Sequence, residues 1–121
     1  MAKRVMTVDD SKTMRDLVAF TLREAGFEVS EAEDGKKALA ALQAAPVDVV
    51  ITDLNMPHMD GVTLIRSLRT LPAFRSTPIL MLTTEFDAAK KAEGKSAGAT
   101  GWLVKPFDPK KLVDVVNRVL G

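Results

Sequence analysis

Five short apolar, β-branched runs alternate with five segments whose apolar residues recur at helical spacing. Few folds accommodate that alternation. Arg4 to Val8, Phe27 to Glu31, Val47 to Asp53, Ile79 to Thr83 and Trp102 to Val104 read as strands. Ser11 offers a cap for a helix running to about Ala25, with Met14, Leu17, Val18, Leu22 and Ala25 as its apolar face and Gly26 as its stop. Asp34-Gly35 opens a second helix with Ala38, Leu39 and Leu42 inward, ending before Pro46. A third runs from about Gly61 to Leu71 on Val62, Leu64, Ile65 and Leu68. A weaker one spans about Asp87 to Ala97, and Asp108-Pro109 begins the last, which carries Leu112, Val113, Val115, Val116, Val119 and Leu120. Repeated strand-helix units require a parallel sheet with right-handed crossovers and helices on both faces, a doubly wound α/β domain.

A chain of 121 residues supports one such domain, expected over 1–121. There is no repeat, linker or low-complexity segment. A net charge of +1 gives no case for nucleic-acid or membrane affinity, and no apolar run approaches a membrane span. Met1-Ala2-Lys3-Arg4 leads into a strand and not into a signal-peptide apolar stretch. The absence of cysteine excludes disulfides and thiolate metal sites. A cytoplasmic monomer is expected.

The strand Val47 to Thr52 ends in Asp53, and Leu54 to Gly61 behind it reads as a loop. Open α/β sheets place their chemistry at the carboxyl ends of the strands. Taken singly, the polar residues at those ends are ordinary. Asp9-Asp10 can cap the next helix, Thr83 can bond its own backbone, and Lys105 can be a solvated cation. In the flavodoxin-like strand order 2-1-3-4-5 they all fall on one rim at the switch point. Two carboxylates about 4 Å apart at an effective dielectric of about 20 repel by roughly 4 kcal/mol, so three of them invite a divalent cation. Hard oxygen donors with no Cys and a single His favour Mg²⁺ over zinc. Asp53 is then the nucleophile toward a phosphoryl group, Lys105 a second positive charge and Thr83 a hydroxyl donor.

On Asp9-Asp10, Thr52-Asp53-Leu54-Asn55-Met56-Pro57, Gly61, Thr83, Gly98-Ala99 and Lys105-Pro106-Phe107, the chain resembles a response-regulator receiver domain along its whole length. It is most similar to the stand-alone chemotaxis (CheY) type. The resemblance implies that Asp53 takes a phosphoryl group from a kinase phosphohistidine. It implies Mg²⁺ held by Asp10, Asp53 and the Asn55 backbone carbonyl with help from Asp9, and a cis Lys105-Pro106 peptide. Asn55 and Glu85 resemble the pair that influences acyl-phosphate lifetime in such receivers.

Phosphorylation is expected to draw Thr83 to the phosphoryl group and to bias Trp102 between inward and outward positions. Trp102 is bulkier than the Tyr or Phe usual there, and simple packing at a strand edge is the other reading. Lys90, Lys91 and Lys95 either receive an acidic partner segment or form an ordinary solvated face. Phe20 lies off the apolar stripe of its helix and either contacts kinase or phosphotransfer helices or covers a sheet edge. Gly94 weakens the fourth helix, and His58 reads as a solvent-facing loop residue. The expected partners are a histidine kinase or phosphotransfer protein, an output protein such as a flagellar motor switch component, and a phosphatase. An adaptor or phosphate sink in a phosphorelay is the alternative. A haloacid-dehalogenase-like phosphatase also uses a strand-end Asp, but it needs an acid where this chain has Asn55. The expectation is a phosphoacceptor that assists its own phosphorylation and dephosphorylation, with no separate enzyme activity.

Overall fold

A computed structural model of the chain describes residues 2–84 and 88–121. Five parallel strands form one sheet in the order β2-β1-β3-β4-β5: β1 Arg4–Val8, β2 Glu28–Ala32, β3 Val49–Asp53, β4 Ile79–Thr84 and β5 Gly101–Lys105. Between and after them run α1 Lys12–Glu24, α2 Gly35–Ala44, α3 Gly61–Arg69, α4 Ala88–Ala97 and α5 Pro109–Leu120. The expected doubly wound fold and strand order are present.

Alternation along the strands sorts the core into two layers. Val5, Val49, Ile51, Leu80, Leu82 and Leu103 pack with Val18 and Leu22 of α1 and with Leu112 and Val116 of α5. Met6, Val8, Val50, Ile79 and Met81 face the other way, onto Ala38 and Leu42 of α2, Ile65 and Leu68 of α3, and Ala97 of α4. β3 is buried at every position, as a central strand covered on both faces must be. Side-chain caps set the helix starts. Ser11, Asp34, Asp60 and Asp108 accept from the N–H groups of Met14, Lys37, Thr63 and Lys110.

Several boundaries differ from the sequence reading. β3 begins at Val49; Asp48, just before it, donates its N–H to Arg4 O and accepts the Arg4 N–H on its carboxylate, both at 2.8 Å. Phe27 is spent closing α1, its N–H bonding Leu22 O across Gly26, whose φ of 94° suits glycine. In α1, Ala19 is buried while Leu17 and Ala25 are exposed. After α3, Pro72–Phe74 forms a 3-10 turn that drives Phe74 into the core, since Pro72 cannot continue a helix. Gly94 is no mere weak point. A Cβ there would lie 1.9 Å from Met81 Sδ, so its missing side chain is what lets α4 settle on β4.

Candidate functional site

The carboxyl edge of the sheet gathers the polar residues at the ends of β1, β3, β4 and β5. Asp53 is the last residue of β3 and is 8% exposed. Its Oδ1 accepts the Leu54 N–H at 2.9 Å and lies 2.9 Å from Lys105 Nζ. Asp9, one residue beyond β1, is held at three atoms. Its N–H donates to Ala32 O, its carbonyl accepts from Arg15 Nη1 at 2.8 Å, and its Oδ1 accepts the Ser11 N–H at 2.9 Å. The fourth, Oδ2, is buried without a hydrogen bond, and Lys105 Nζ stands 3.6 Å away. Burial pushes the Asp9 carboxyl above its ordinary value of 3.8, the Ser11 N–H opposes this, and the Asp53 charge adds to the rise.

Asp10 is exposed and completes the acidic group. One carboxylate oxygen each from Asp9, Asp10 and Asp53 lie within 4.8 Å of one another. A buried, unbonded carboxylate oxygen is costly by itself. Three carboxylates this close supply hard oxygen donors, so the residues fit a divalent metal ion.

The loop after Asp53 is fixed by close backbone approaches. The Gly61 N–H donates to Leu54 O at 2.9 Å, and a Cβ on Gly61 would meet Asp53 O at 2.2 Å. A Cβ on Gly35 would likewise meet Met59 O at 2.6 Å. Between them His58, exposed as expected, takes φ 68°, and the Met59 N–H bonds Pro57 O at 2.7 Å to close a γ-turn. Asn55 is exposed in this loop, and the Lys105-Pro106 peptide is cis.

Thr83 is 3% exposed on β4, one residue past Leu82, which pairs with Asp53. It pairs with Val104, two residues from Trp102. Trp102 is 41% exposed, and Lys91 Nζ and Lys95 Nζ lie 5.8 and 5.2 Å from its ring centroid. Lys90 stands apart from this group, 3.7 Å from Glu93. Phe20 is 63% exposed and lines a groove with Leu17, Pro109 and Val113. Glu85 lies outside the described residues.

Two arginines not singled out from the sequence support the site's scaffold. Arg15 bonds the Asp9 carbonyl, and Arg69 donates to the carbonyls of Phe74, Thr77 and Gly98, tying α3 to the segments that enter β4 and β5. Arg69, whose guanidinium bonds only carbonyls, leaves no partner in the sequence to find it by. Helical spacing does place Arg15 on the side of α1 next to Met14 and Val18, and that was the one available signal.

A phosphate-scale carboxylate site with a lysine reaching it, on this strand order, defines a class. The chain belongs to the response regulator receiver domain family, whose model matches residues 5–117. Within that family it is CheY-like. It is 42% identical over 120 residues to the chemotaxis protein CheY1 of Helicobacter pylori, covering 98% of this chain and 97% of that one. It is 37% identical over 117 residues to the chemotaxis protein CheY-3 of Vibrio cholerae, covering 96% and 90%. The solved structure of the chemotaxis response regulator CheY4 of Vibrio cholerae superposes with a TM-score of 0.94 at 50% identity, covering 99% and 100%. Receivers of this family are signalling phosphoacceptors, not conventional enzymes. Among the described residues no helix is long and apolar enough to cross a membrane.

Proposed function

We propose that Asp53 accepts a phosphoryl group from the phosphohistidine of a histidine kinase or phosphotransfer protein. The protein, a single receiver unit over residues 1–121, then changes its affinity for a component of the flagellar motor switch in the cytoplasm. The observation that carries this reading is the contact of Lys105 Nζ with Asp53 Oδ1 beside the unbonded Asp9 Oδ2. The chemotaxis role draws on the likeness to CheY1, CheY-3 and CheY4.

Leu54 N–H and Lys105 both hold Oδ1, which leaves Asp53 Oδ2 as the attacking oxygen. It forms the O–P bond as the P–N bond of the phosphohistidine breaks, and the imidazole leaves with a proton from solvent. Lys105 moves by one contact onto a phosphoryl oxygen and balances the charge gained there. Asp9, Asp10, Asp53 and the Asn55 main-chain carbonyl would hold Mg²⁺, which when bound neutralises charge on the phosphoryl oxygens. Thr83 donates its hydroxyl to the new phosphoryl group. Asn55 and Glu85, by their resemblance to the pair in such receivers, tune the lifetime of the acyl phosphate, on which a phosphatase can also act. The receiver so assists its own phosphorylation and dephosphorylation.

Trp102 reports the change at Thr83 by leaving its place under Lys91 and Lys95. Those lysines, with Lys90, then meet an acidic segment of the output partner. Exposed Phe20 meets the helices of the phosphodonor. The test is capture of an acidic motor-switch peptide by protein loaded with beryllofluoride. Capture by the wild type and none by Asp53→Asn supports the proposal. Phosphorylation without any change in peptide capture would favour the phosphate-sink role instead.

A further inference from the structure

We infer that Arg15 is a positioning residue for the cation site: its guanidinium sets the main chain of Asp9 and thereby aims Asp9 Oδ2 into the acidic group. The inference rests on the reading of that group as a metal site. Arg15 Nη1 donates to Asp9 O at 2.8 Å, and Arg15 Nε stands 3.3 Å from Glu31 Oε1. Its side chain is only 15% exposed, so the pair is shielded more than the other ion pairs of α1.

The geometry explains why one bond to a carbonyl matters. β1 ends at Val8, so Asp9 has left the ladder after a last N–H bond to Ala32 O. Its carbonyl has no strand to bond and faces the first turns of α1. Arg15 fills that role, and Glu31 on β2 holds the planar guanidinium in register through Nε. Glu31 in turn pairs with Thr7 of β1, and Arg23 Nη2 reaches its other oxygen at 3.4 Å. The Ser11 N–H then fixes Oδ1, and Oδ2 has one direction left. Groups that orient a ligand one bond away commonly change metal affinity by about 10–100-fold when removed.

Charge alone predicts the opposite sign. Arg15 is a cation near three carboxylates, so a purely electrostatic role would make its removal tighten Mg²⁺ binding. A positioning role makes removal loosen it. The experiment is calorimetric titration of Mg²⁺ into wild type, Arg15→Met, Arg15→Lys and Glu31→Gln, with metal-free thermal unfolding of each. Arg15→Met is expected to weaken Mg²⁺ binding about tenfold or more. Arg15→Lys and Glu31→Gln are expected to fall between it and wild type, because each keeps part of the fork. Wild-type or tighter affinity in a folded Arg15→Met protein overturns the inference, whatever happens to its melting temperature. Should Arg15→Met not fold, Arg15→Lys decides: weaker binding supports the role and unchanged binding overturns it. If neither wild type nor variants take up Mg²⁺, the metal-site reading itself has failed, an outcome distinct from wild-type binding with no effect of Arg15.

Discussion

Lys105 Nζ contacts Asp53 Oδ1 at 2.9 Å although their strands are not neighbours. β4 lies between β3 and β5, so the lysine crosses two strand spacings, roughly 10 Å, over the end of β4. The same ammonium stands 3.6 Å from Asp9 Oδ2. One ammonium thus pairs with two of the three carboxylates.

Replacing Lys105 with Met therefore has two effects of opposite sense. Phosphorylation of Asp53 by a small phosphodonor is expected to slow by about 100-fold, the scale of losing one charge-stabilising donor. Mg²⁺ binding is expected to stay level or tighten, because a competing cation is gone. Stopped-flow phosphorylation rates and Mg²⁺ titration on one preparation separate the two.

Asp9 carries a pH prediction. Its carboxyl is raised in the folded protein, chiefly by burial, so without metal the folded state binds the proton more tightly than the unfolded chain does. Stability should fall as pH rises from the unfolded value of 3.8 through the raised folded one, and the cost is complete above it. Asp9→Asn removes that cost and is expected to stabilise the metal-free protein at pH 7 by about 1–3 kcal/mol, the scale of a buried unsatisfied group. The gain should vanish at low pH. Mg²⁺ at about 100 times its Kd should stabilise wild type by about 2.7 kcal/mol and the variant by much less. Urea unfolding across pH, with and without Mg²⁺, measures all of this.

Gly94→Ala pits helix propensity against packing. Propensity alone predicts a gain of about 1 kcal/mol. The Cβ would meet Met81 Sδ at 1.9 Å, so a net loss of about 1–3 kcal/mol is expected. Pairing it with Met81→Ala should cost less than the sum of the two single changes, which a double-mutant cycle in urea reads directly.

Trp102 is the protein's one tryptophan, so its emission reports its own surroundings. Two ammonium groups over one exposed ring are each worth about 0.5–1 kcal/mol and repel each other. Lys91→Ala with Lys95→Ala should alter the resting emission and reduce the change on phosphorylation. An identical phosphorylation response in the double variant would remove the lysines from the switch.

The alternation of strands and helices was legible because burial on both faces writes a strong pattern into β3 and β4, and Ser11, Asp34 and Asp108 mark three of the helix starts. The rim residues were legible for the same reason: each follows a readable strand. What stayed hidden depends on contacts across the fold. Asp48 and Phe27 carry strand-like residue types or neighbours, but one is taken by Arg4 and the other by the turn at Gly26. Ala19 is buried and Leu17 exposed, because spacing fixes a helical stripe only to about one residue. Gly94 looked like a weak helix until Met81 was seen beneath it. Arg69 bonds only carbonyls, which every residue has, and the Glu31 partner of Arg15 is brought to it by the pairing of β2 with β1, so spacing along the chain points to neither set of contacts.

The most direct test weighs the intact protein after incubation with acetyl phosphate and Mg²⁺, under conditions that suppress hydrolysis. A mass gain of a single phosphoryl group is expected, lost in Asp53→Asn and without Mg²⁺. No gain in the wild type, or a gain that persists in Asp53→Asn, would contradict it.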